Sequence, residues 1–215
     1  MVQVIGAKNS IFNQFISEIR DVTIQKDSMR FRRNIERMGE IMAYEISKTL
    51  TYEDKEVTTP LGIATVPLLK QQPVIGTILR AGLPLHQGVL NYFDQAENAF
   101  VSAYRKHHKD GTFNIALEYL ASPLLADKEL ILCDPMLATG ASIVDTYKFL
   151  LQRGKPKHTH IVAIIASAEG VEYAKKHLPE NVTIWIGAID EELTAQSYIV
   201  PGLGDAGDLC YGIKI

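Results

Sequence analysis

Cysteine, tryptophan and long apolar runs are scarce in this chain. Its 215 residues include two cysteines and one tryptophan. Cys133 falls in an apolar stretch and Cys210 in a glycine-rich tail, which argues against a disulfide-stapled scaffold. No apolar run approaches the roughly 20 residues that a bilayer span needs. Residues 1–10 lack the basic start and apolar segment of a secretion signal, so a cytoplasmic location is the default expectation. Excess charge of one sign is missing too. With 22 Lys+Arg against 25 Asp+Glu the net charge is −3, and bulk electrostatics gives no reason to expect a nucleic-acid or membrane partner. Repeats and low-complexity linkers are absent. Hydrophobic residues at 47% and charged residues at 22% describe an ordinary globular chain, long enough for one domain with a substantial core.

What is present is an alternation. Residues 27–50 predict a long helix, because Phe31, Ile35, Met38, Met42, Ile46 and Leu50 recur at three- and four-residue steps. Arg30, Arg32, Arg33, Glu36, Arg37 and Glu40 around that stripe read as a solvated face with ion pairs. Residues 56–69, broken at Pro60-Leu61-Gly62, predict a β-hairpin flap. Strands are then predicted at 74–79, 99–104, 113–120, 129–133, 159–166 and 182–188. Helices are predicted between them at 83–93, 141–153 and 171–177, with Gly154 as a C-terminal cap. The rhythm implies an α/β fold with a mainly parallel sheet flanked by helices. The whole chain, 1–215, is expected to be one domain. It divides into N-terminal helices (1–50), the small hairpin flap (56–69), a core (74–190) and a C-terminal hood (191–215).

Ligands of open parallel sheets collect beyond the carboxyl ends of the strands, so chemistry is expected there. Strand 129–133 runs into Asp134-Pro135-Met136-Leu137-Ala138-Thr139-Gly140-Ala141-Ser142, and a helix follows. A strand that stops on an acid before a small-residue loop and a helix suits a phosphorylated sugar. Backbone N–H groups and the helix N-terminus take the phosphate, and Asp134 is left for hydroxyls. Thr139 and Ser142 add hydroxyl donors. Taken alone, the pattern also fits an ordinary strand–loop–helix connection.

Its neighbours add weight. Strand 74–79 ends in Arg80-Ala81-Gly82, strand 99–104 in Arg105, and strand 159–166 in Ser167-Ala168-Glu169-Gly170. Either arginine alone reads as a surface residue. Two at successive strand ends, beside a carboxylate, read as an anion site wider than one phosphate. Residues 198–208 combine glycines, a proline and two aspartates, a composition read as unable to pack as strand or helix. Apolar residues on both sides should anchor this loop, whose exposed N–H and C=O groups suit a flat polar ring. The polar stretch 106–112 reads either as a solvated hairpin tip or as a lid over the site, and His107 and His108 receive no catalytic role.

The loop 134–140 together with 198–208, Arg80-Ala81-Gly82 and Tyr104-Arg105 resembles the uracil phosphoribosyltransferase family. The likeness covers most of the chain after about residue 25. The first loop is shared by type I phosphoribosyltransferases, whereas Pro201-Gly202-Leu203-Gly204-Asp205-Ala206-Gly207-Asp208 is much more specific to the uracil branch. The resemblance implies transfer of a phosphoribosyl group from 5-phosphoribosyl 1-diphosphate (PRPP) to uracil, giving UMP and diphosphate, with Mg²⁺ as cofactor. Asp134 would accept hydrogen bonds from the ribose hydroxyls, Thr139 to Ser142 would bind the 5-phosphate, and Arg80 and Arg105 would grip the diphosphate. Ile199, Gly204, Asp205 and Ala206 would read uracil through backbone groups, with Asp205 also facing the donor. Asp205, Arg105 and Asp134 would be the catalytic residues. Mg²⁺ would be held mainly by PRPP and water, with no dedicated protein ligand.

The chain departs from the family pattern at some points. A single acid precedes Pro135 where most type I relatives have two, as in the uracil branch. Ala141 stands where many uracil enzymes have a second glycine, and Ser167-Ala168 replaces the usual Ala-Pro. A homodimer or higher homo-oligomer is expected, and GTP activation, known in some relatives, is anchored by no residue here. Two other readings compete: an RNA-binding regulator that kept the pocket, and a transferase for another base. The net charge of −3 and the intact loop at 198–208 weigh against the first.

Overall fold

Helices at the N-terminus form where apolar spacing and capping residues coincide. The computed structural model describes residues 1–107 and 113–214, with only the backbone course described for 103–107 and 113–118. After β1 (Val2–Val4), helix α1 (Ile11–Arg20) starts at Ser10, whose hydroxyl accepts the Phe12 N–H. Helix α2 (Ser28–Ser47) starts at Asp27, whose carboxylate accepts the Arg30 N–H at 3.0 Å. Phe31, Ile35, Met38, Met42 and Ile46 of α2 are fully buried, as their spacing predicts. The helix is shorter than 27–50 because Thr49 and Leu50 turn more tightly, their N–H groups bonding to the carbonyls of Ile46 and Ser47. The sequence patterning marks no strand at β1, whereas α1 falls within the segment 1–50 read as N-terminal helices.

The hairpin of β2 (Tyr52–Thr59) and β3 (Gly62–Leu69) begins at Tyr52 rather than at 56. Residues 52–55 carry little apolar signal, but they pair with 66–69 to the end of the register, Tyr52↔Leu69. There follow β4 (Val74–Leu79), α3 (Leu83–Leu90), β5 (Glu97–His107), β6 (Phe113–Ala121), β7 (Glu129–Cys133) and β8 (Met136–Leu137). The chain continues through α4 (Ala141–Leu150), β9 (His158–Ser167), α5 (Ala168–His177) and β10 (Val182–Asp190). It closes with β11 (Glu192–Leu193), β12 (Ile199–Val200) and α6 (Ala206–Tyr211).

The main sheet has eight strands among the described residues, in the order β1-β10-β9-β7-β4-β5-β6, with β8 also beside β9. Every pairing is parallel except β5 with β6, which the βα rhythm did not distinguish. Alternating residues of β7 enter opposite faces. Ile131 and Cys133 join Phe12, Ile35, Met38 and Leu85 under α1, α2 and α3. Leu130 and Leu132 join Val144, Tyr147, Leu150 and Ala174 under α4 and α5. Both cysteines are free and buried. Among the described residues no helix is long and apolar enough to cross a membrane.

Residues 198–208 overturn the expectation of an unpacked loop. Ile199 and Val200 pair with β11, and Asp205 opens α6, its Oδ1 accepting the Asp208 N–H at 3.0 Å. The cap and the burial of Ala206 and Cys210 against the core outweigh the low helix propensity of Gly207.

Glu18 docks α1 onto α2. It accepts from Arg30 Nε and Nη2 at 2.9 and 2.8 Å and from Asn34 Nδ2 at 2.7 Å. The Arg30 guanidinium, then the Asn34 amide, hold its carboxyl at about 2 against the burial that would raise it. A depressed carboxyl stabilises the fold above its ordinary value of 4.5 and loses that contribution as pH falls toward 2. Glu18→Gln is therefore expected to lower the thermal midpoint at pH 7, by roughly 2–4 °C per kcal/mol lost. In calorimetry the gap to wild type narrows as pH falls below 4.5. Equal midpoints at pH 7 would refute the docking role.

Candidate active site

At the carboxyl edge of the sheet, β7 delivers Asp134 and β8 carries the loop across to β9. The Pro135 carbonyl accepts the N–H groups of Ile164 and Ile165 at 3.0 Å each, and Met136 and Leu137 register with Ile165 and Ala166. Pro135 and Leu137 are thus buried anchors of the loop, while Met136, Ala138, Thr139, Ala141 and Ser142 are partly exposed. Gly140 precedes α4 at φ 78, and no side chain caps that helix. The first turn holds no acid, so the partial positive charge of the helix start is not offset there. Thr139 Oγ1 accepts the Ala141 N–H at 3.4 Å.

The loop 167–170, whose role the sequence left open, supports this turn. Ser167 caps α5 by accepting the Gly170 N–H at 2.8 Å and donates its hydroxyl to the Ala138 carbonyl at 2.5 Å. A Cβ on Gly170 would fall 2.1 Å from that same carbonyl, so only glycine lets α5 come this close.

Asp134 lies partly buried just past the end of β7, its Oδ1 accepting the Met136 N–H at 3.3 Å. Burial pushes its carboxyl up to about 7, and the Met136 N–H offsets this only in part. Gly82 lies against the Cys133 carbonyl: a Cβ there would be 2.8 Å from it. That contact brings the Arg80 turn beside Asp134. The peptide bonds Leu79-Arg80 and Val200-Pro201, which enter the two flanking turns, are both cis.

From the other side α6 closes in, its Gly207 approaching Arg80 and Ala81. Arg80 Nη2 meets Asp208 Oδ1 at 3.1 Å, and both Arg80 Nη atoms reach the Gly212 carbonyl at 3.4 and 3.5 Å. Lys214 Nζ donates to Asp205 Oδ2 at 3.0 Å. Burial raises the Asp205 carboxyl, but the Asp208 N–H and the Lys214 ammonium outweigh it and hold the carboxyl below its ordinary value.

The structure therefore gathers Asp134, the 138–142 turn, Arg80, Asp205 and Ala206 at one edge. Ile199 contributes only backbone, since its side chain is buried in the core. Gly204, at φ 95, has open space where a Cβ would point. The backbone of Arg105 registers with Ile115, three residues beyond the last pairing with β4, and its side chain lies outside the described residues. So does most of 106–112, read as either a hairpin tip or a lid. Sequence reasoning missed Asp190, because the strand was ended at 188. Carried two residues further, it would have shown one more acid at a carboxyl end.

An acid-ended parallel strand, a helix N-terminus open to anions and an arginine turn beside them define a phosphoribosyltransferase of type I. Solved structures with this fold include adenine phosphoribosyltransferase from Trypanosoma brucei, 10% identical with a TM-score of 0.57 over 94% of this chain and 87% of that one. The chain belongs to the uracil phosphoribosyltransferase family, whose sequence profile it matches over residues 7–213. It is 59% identical over 211 residues to uracil phosphoribosyltransferase of Porphyromonas gingivalis, covering 98% of each chain. It is 37% identical to that of Thermococcus gammatolerans, covering 94% of this chain and 89% of the relative. The solved AQ2163 protein from Aquifex aeolicus is 28% identical, with a TM-score of 0.87 over the full length of both chains.

A carboxyl whose folded value is raised keeps its proton to about pH 7, while the unfolded chain releases it near 3.8. Its stabilising contribution is complete below the lower value and lost as pH rises through the higher one. Asp134→Asn should raise the thermal midpoint of the unliganded protein at about pH 8 and leave it unchanged near pH 4, by roughly 2–4 °C per kcal/mol recovered. A variant less stable than wild type at the higher pH would sink the burial argument.

Proposed function

We propose that this cleft transfers the phosphoribosyl group of PRPP to uracil, with the donor seated on Asp134 and the 138–142 turn and the base on the backbone of Ile199 and Gly204 to Ala206. The observation that carries the reading is the junction of an anion-binding helix start with the capped turn at Asp205, joined through Arg80. The reaction is that of the family: the bond from ribose C1 to diphosphate breaks, its electron pair leaving with the diphosphate. Uracil N1 bonds to C1 and gives its proton to water or the released diphosphate, and UMP results.

Departure leaves positive charge on C1 and the ring oxygen and negative charge on the leaving group. Arg80 and Arg105 stabilise the second, and Asp205, held ionised, stands on the side of the first. To grip diphosphate, Arg80 exchanges its contacts to Asp208 and Gly212. The Arg80–Asp208 pair is largely exposed and worth about 0–1 kcal/mol, so the charge-assisted contacts to diphosphate prevail.

Phosphoribosyltransferases generally use Mg²⁺ with PRPP. Asp134 and Asp205 are the carboxylates that would face it, directly or through water, and it would neutralise charge on the diphosphate. Among the described residues there is no cluster of three or more ligating side chains. Uracil presents acceptor, donor and acceptor at O2, N3–H and O4, whereas cytosine reverses the last two. A fixed backbone edge leaves a group unpaired against cytosine, a cost of about 1–3 kcal/mol.

The protein acts as a homodimer or larger homo-oligomer. The β2–β3 hairpin exposes Leu61 (99%) and Ile63 (69%), and a lone two-stranded ribbon is at best marginally stable. A second copy of the chain is the partner that fits.

The deciding assay supplies uracil, PRPP and Mg²⁺ and looks for UMP; folded, donor-bound protein that makes none rejects the proposal. Asp205→Asn keeps a residue able to cap α6 but removes the charge. It should cut kcat/KM by about tenfold or more, about 1.4 kcal/mol, with little change in thermal midpoint. Wild-type activity in that variant refutes its role. Leu61→Asp with Ile63→Lys should shift the assembly toward monomer in sedimentation equilibrium, and an unchanged mass removes the hairpin from the interface.

A further inference from the structure

The turn proposed to bind uracil is held from behind by two residues that the reaction places on neither substrate. Arg20, the last residue of α1, donates from Nη2 to Asp190 Oδ1 at 2.7 Å and from Nη1 to Asp190 Oδ2 at 2.8 Å. The same Nη1 donates to the Gly202 carbonyl at 3.0 Å, and the Gly202 N–H donates to Asp190 Oδ2 at 3.0 Å. Both backbone polar groups of Gly202 are thus engaged by one ion pair. Asp190 is 7% exposed and the Arg20 side chain 23%, so solvent competes weakly for these bonds.

Gly202 is also where the turn is tightest. It adopts φ 54, and a Cβ there would fall 2.1 Å from the Ile199 carbonyl. Fixing Gly202 therefore fixes Ile199, one of the backbone groups that reads the base. On the far side, Leu203 and Ala206 are buried in the core and hold the turn by packing. The ion pair supplies direction where packing supplies depth.

We propose that Arg20 and Asp190 are positioning residues for base recognition, and that their clamp on Gly202 sets the affinity for uracil and not for PRPP. The inference rests on the reading that Ile199 to Ala206 bind uracil. A turn already in its bound shape loses little conformational freedom when the base enters, and releasing the clamp moves that cost into binding. Lysine cannot replace Arg20 fully, since one ammonium lacks the planar fork that serves two carboxylate oxygens and a carbonyl together.

The test is steady-state kinetics with each substrate varied in turn. Arg20→Gln and Asp190→Asn should raise KM for uracil about tenfold, leave KM for PRPP within about twofold, and change kcat little; tenfold corresponds to about 1.4 kcal/mol. Arg20→Lys, which keeps the charge and folds most readily, should recover part of the loss. Ile46→Val, a core change remote from the turn, should lower the thermal midpoint and leave both KM values alone. Gly204→Ala, within the turn, should raise KM for uracil independently of the clamp. If the Arg20 and Asp190 variants raise both KM values together, or act only on the midpoint as Ile46→Val does, the pair is structural and the proposal falls. If they leave KM for uracil unchanged while Gly204→Ala raises it, the proposal falls and the turn remains the uracil site. If Gly204→Ala leaves it unchanged, the reading of the turn fails and the clamp's role fails with it.

Discussion

Where β9 and β10 end, Ser167 and Asp190 face each other as the last register pair of two parallel strands. Ser167 gives its hydroxyl to the Ala138 carbonyl, and Asp190 accepts the Gly202 N–H. One of these bonds holds the turn proposed to take the phosphate, and the other holds the turn proposed to lie over the base. The spacing of the two halves is therefore set by backbone pairing in the sheet, among the least deformable parts of a fold. A one-residue slip between these strands would move Ser167 and Asp190 to the wrong faces and separate the halves.

Charge is handled locally in a chain whose net charge is only −3. The α4 N-terminus carries no acid or side-chain cap, which leaves its partial positive charge for an anion. Asp134 has its carboxyl raised to about 7 by burial, whereas the Asp205 carboxyl, beside Lys214 and the Asp208 N–H, is held below its ordinary value. The two carboxyls thus differ because one is desolvated and the other is compensated. Arg80 already faces an acid and a carbonyl, so an incoming anion would replace partners rather than fill bare space.

The N-terminal segment has a clear place in this arrangement. Glu18 fastens α1 to α2, and two residues later Arg20 reaches the far end of the chain, to Asp190 and Gly202. Helix α1 thereby links the helical layer with the turn at Gly202. No sequence pattern marks that link. Arg20 followed by Asp21 reads as an ordinary charged helix end, and its true partner stands 170 residues away.

The sequence by itself determined the α/β rhythm, the buried stripe of α2, the acid-ended strand at Asp134 and the arginine turn at Arg80. These depend on apolar periods and on which residue types sit at strand ends, both local properties. It also carried the family likeness, through the turns at 134–140 and 201–208. Tertiary structure decided what depends on distant partners: β1 joining the sheet edge, the antiparallel β6, and the hairpin running back to Tyr52. It also turned the glycine-rich stretch into a capped helix, because Asp205 and the buried faces of Ala206 and Cys210 outweigh local propensity. The clamp of Arg20 and Asp190 on Gly202 is of the same kind. A buried ion pair that fixes a backbone turn has no local signature, since each partner alone looks like a surface charge until folding removes the water between them.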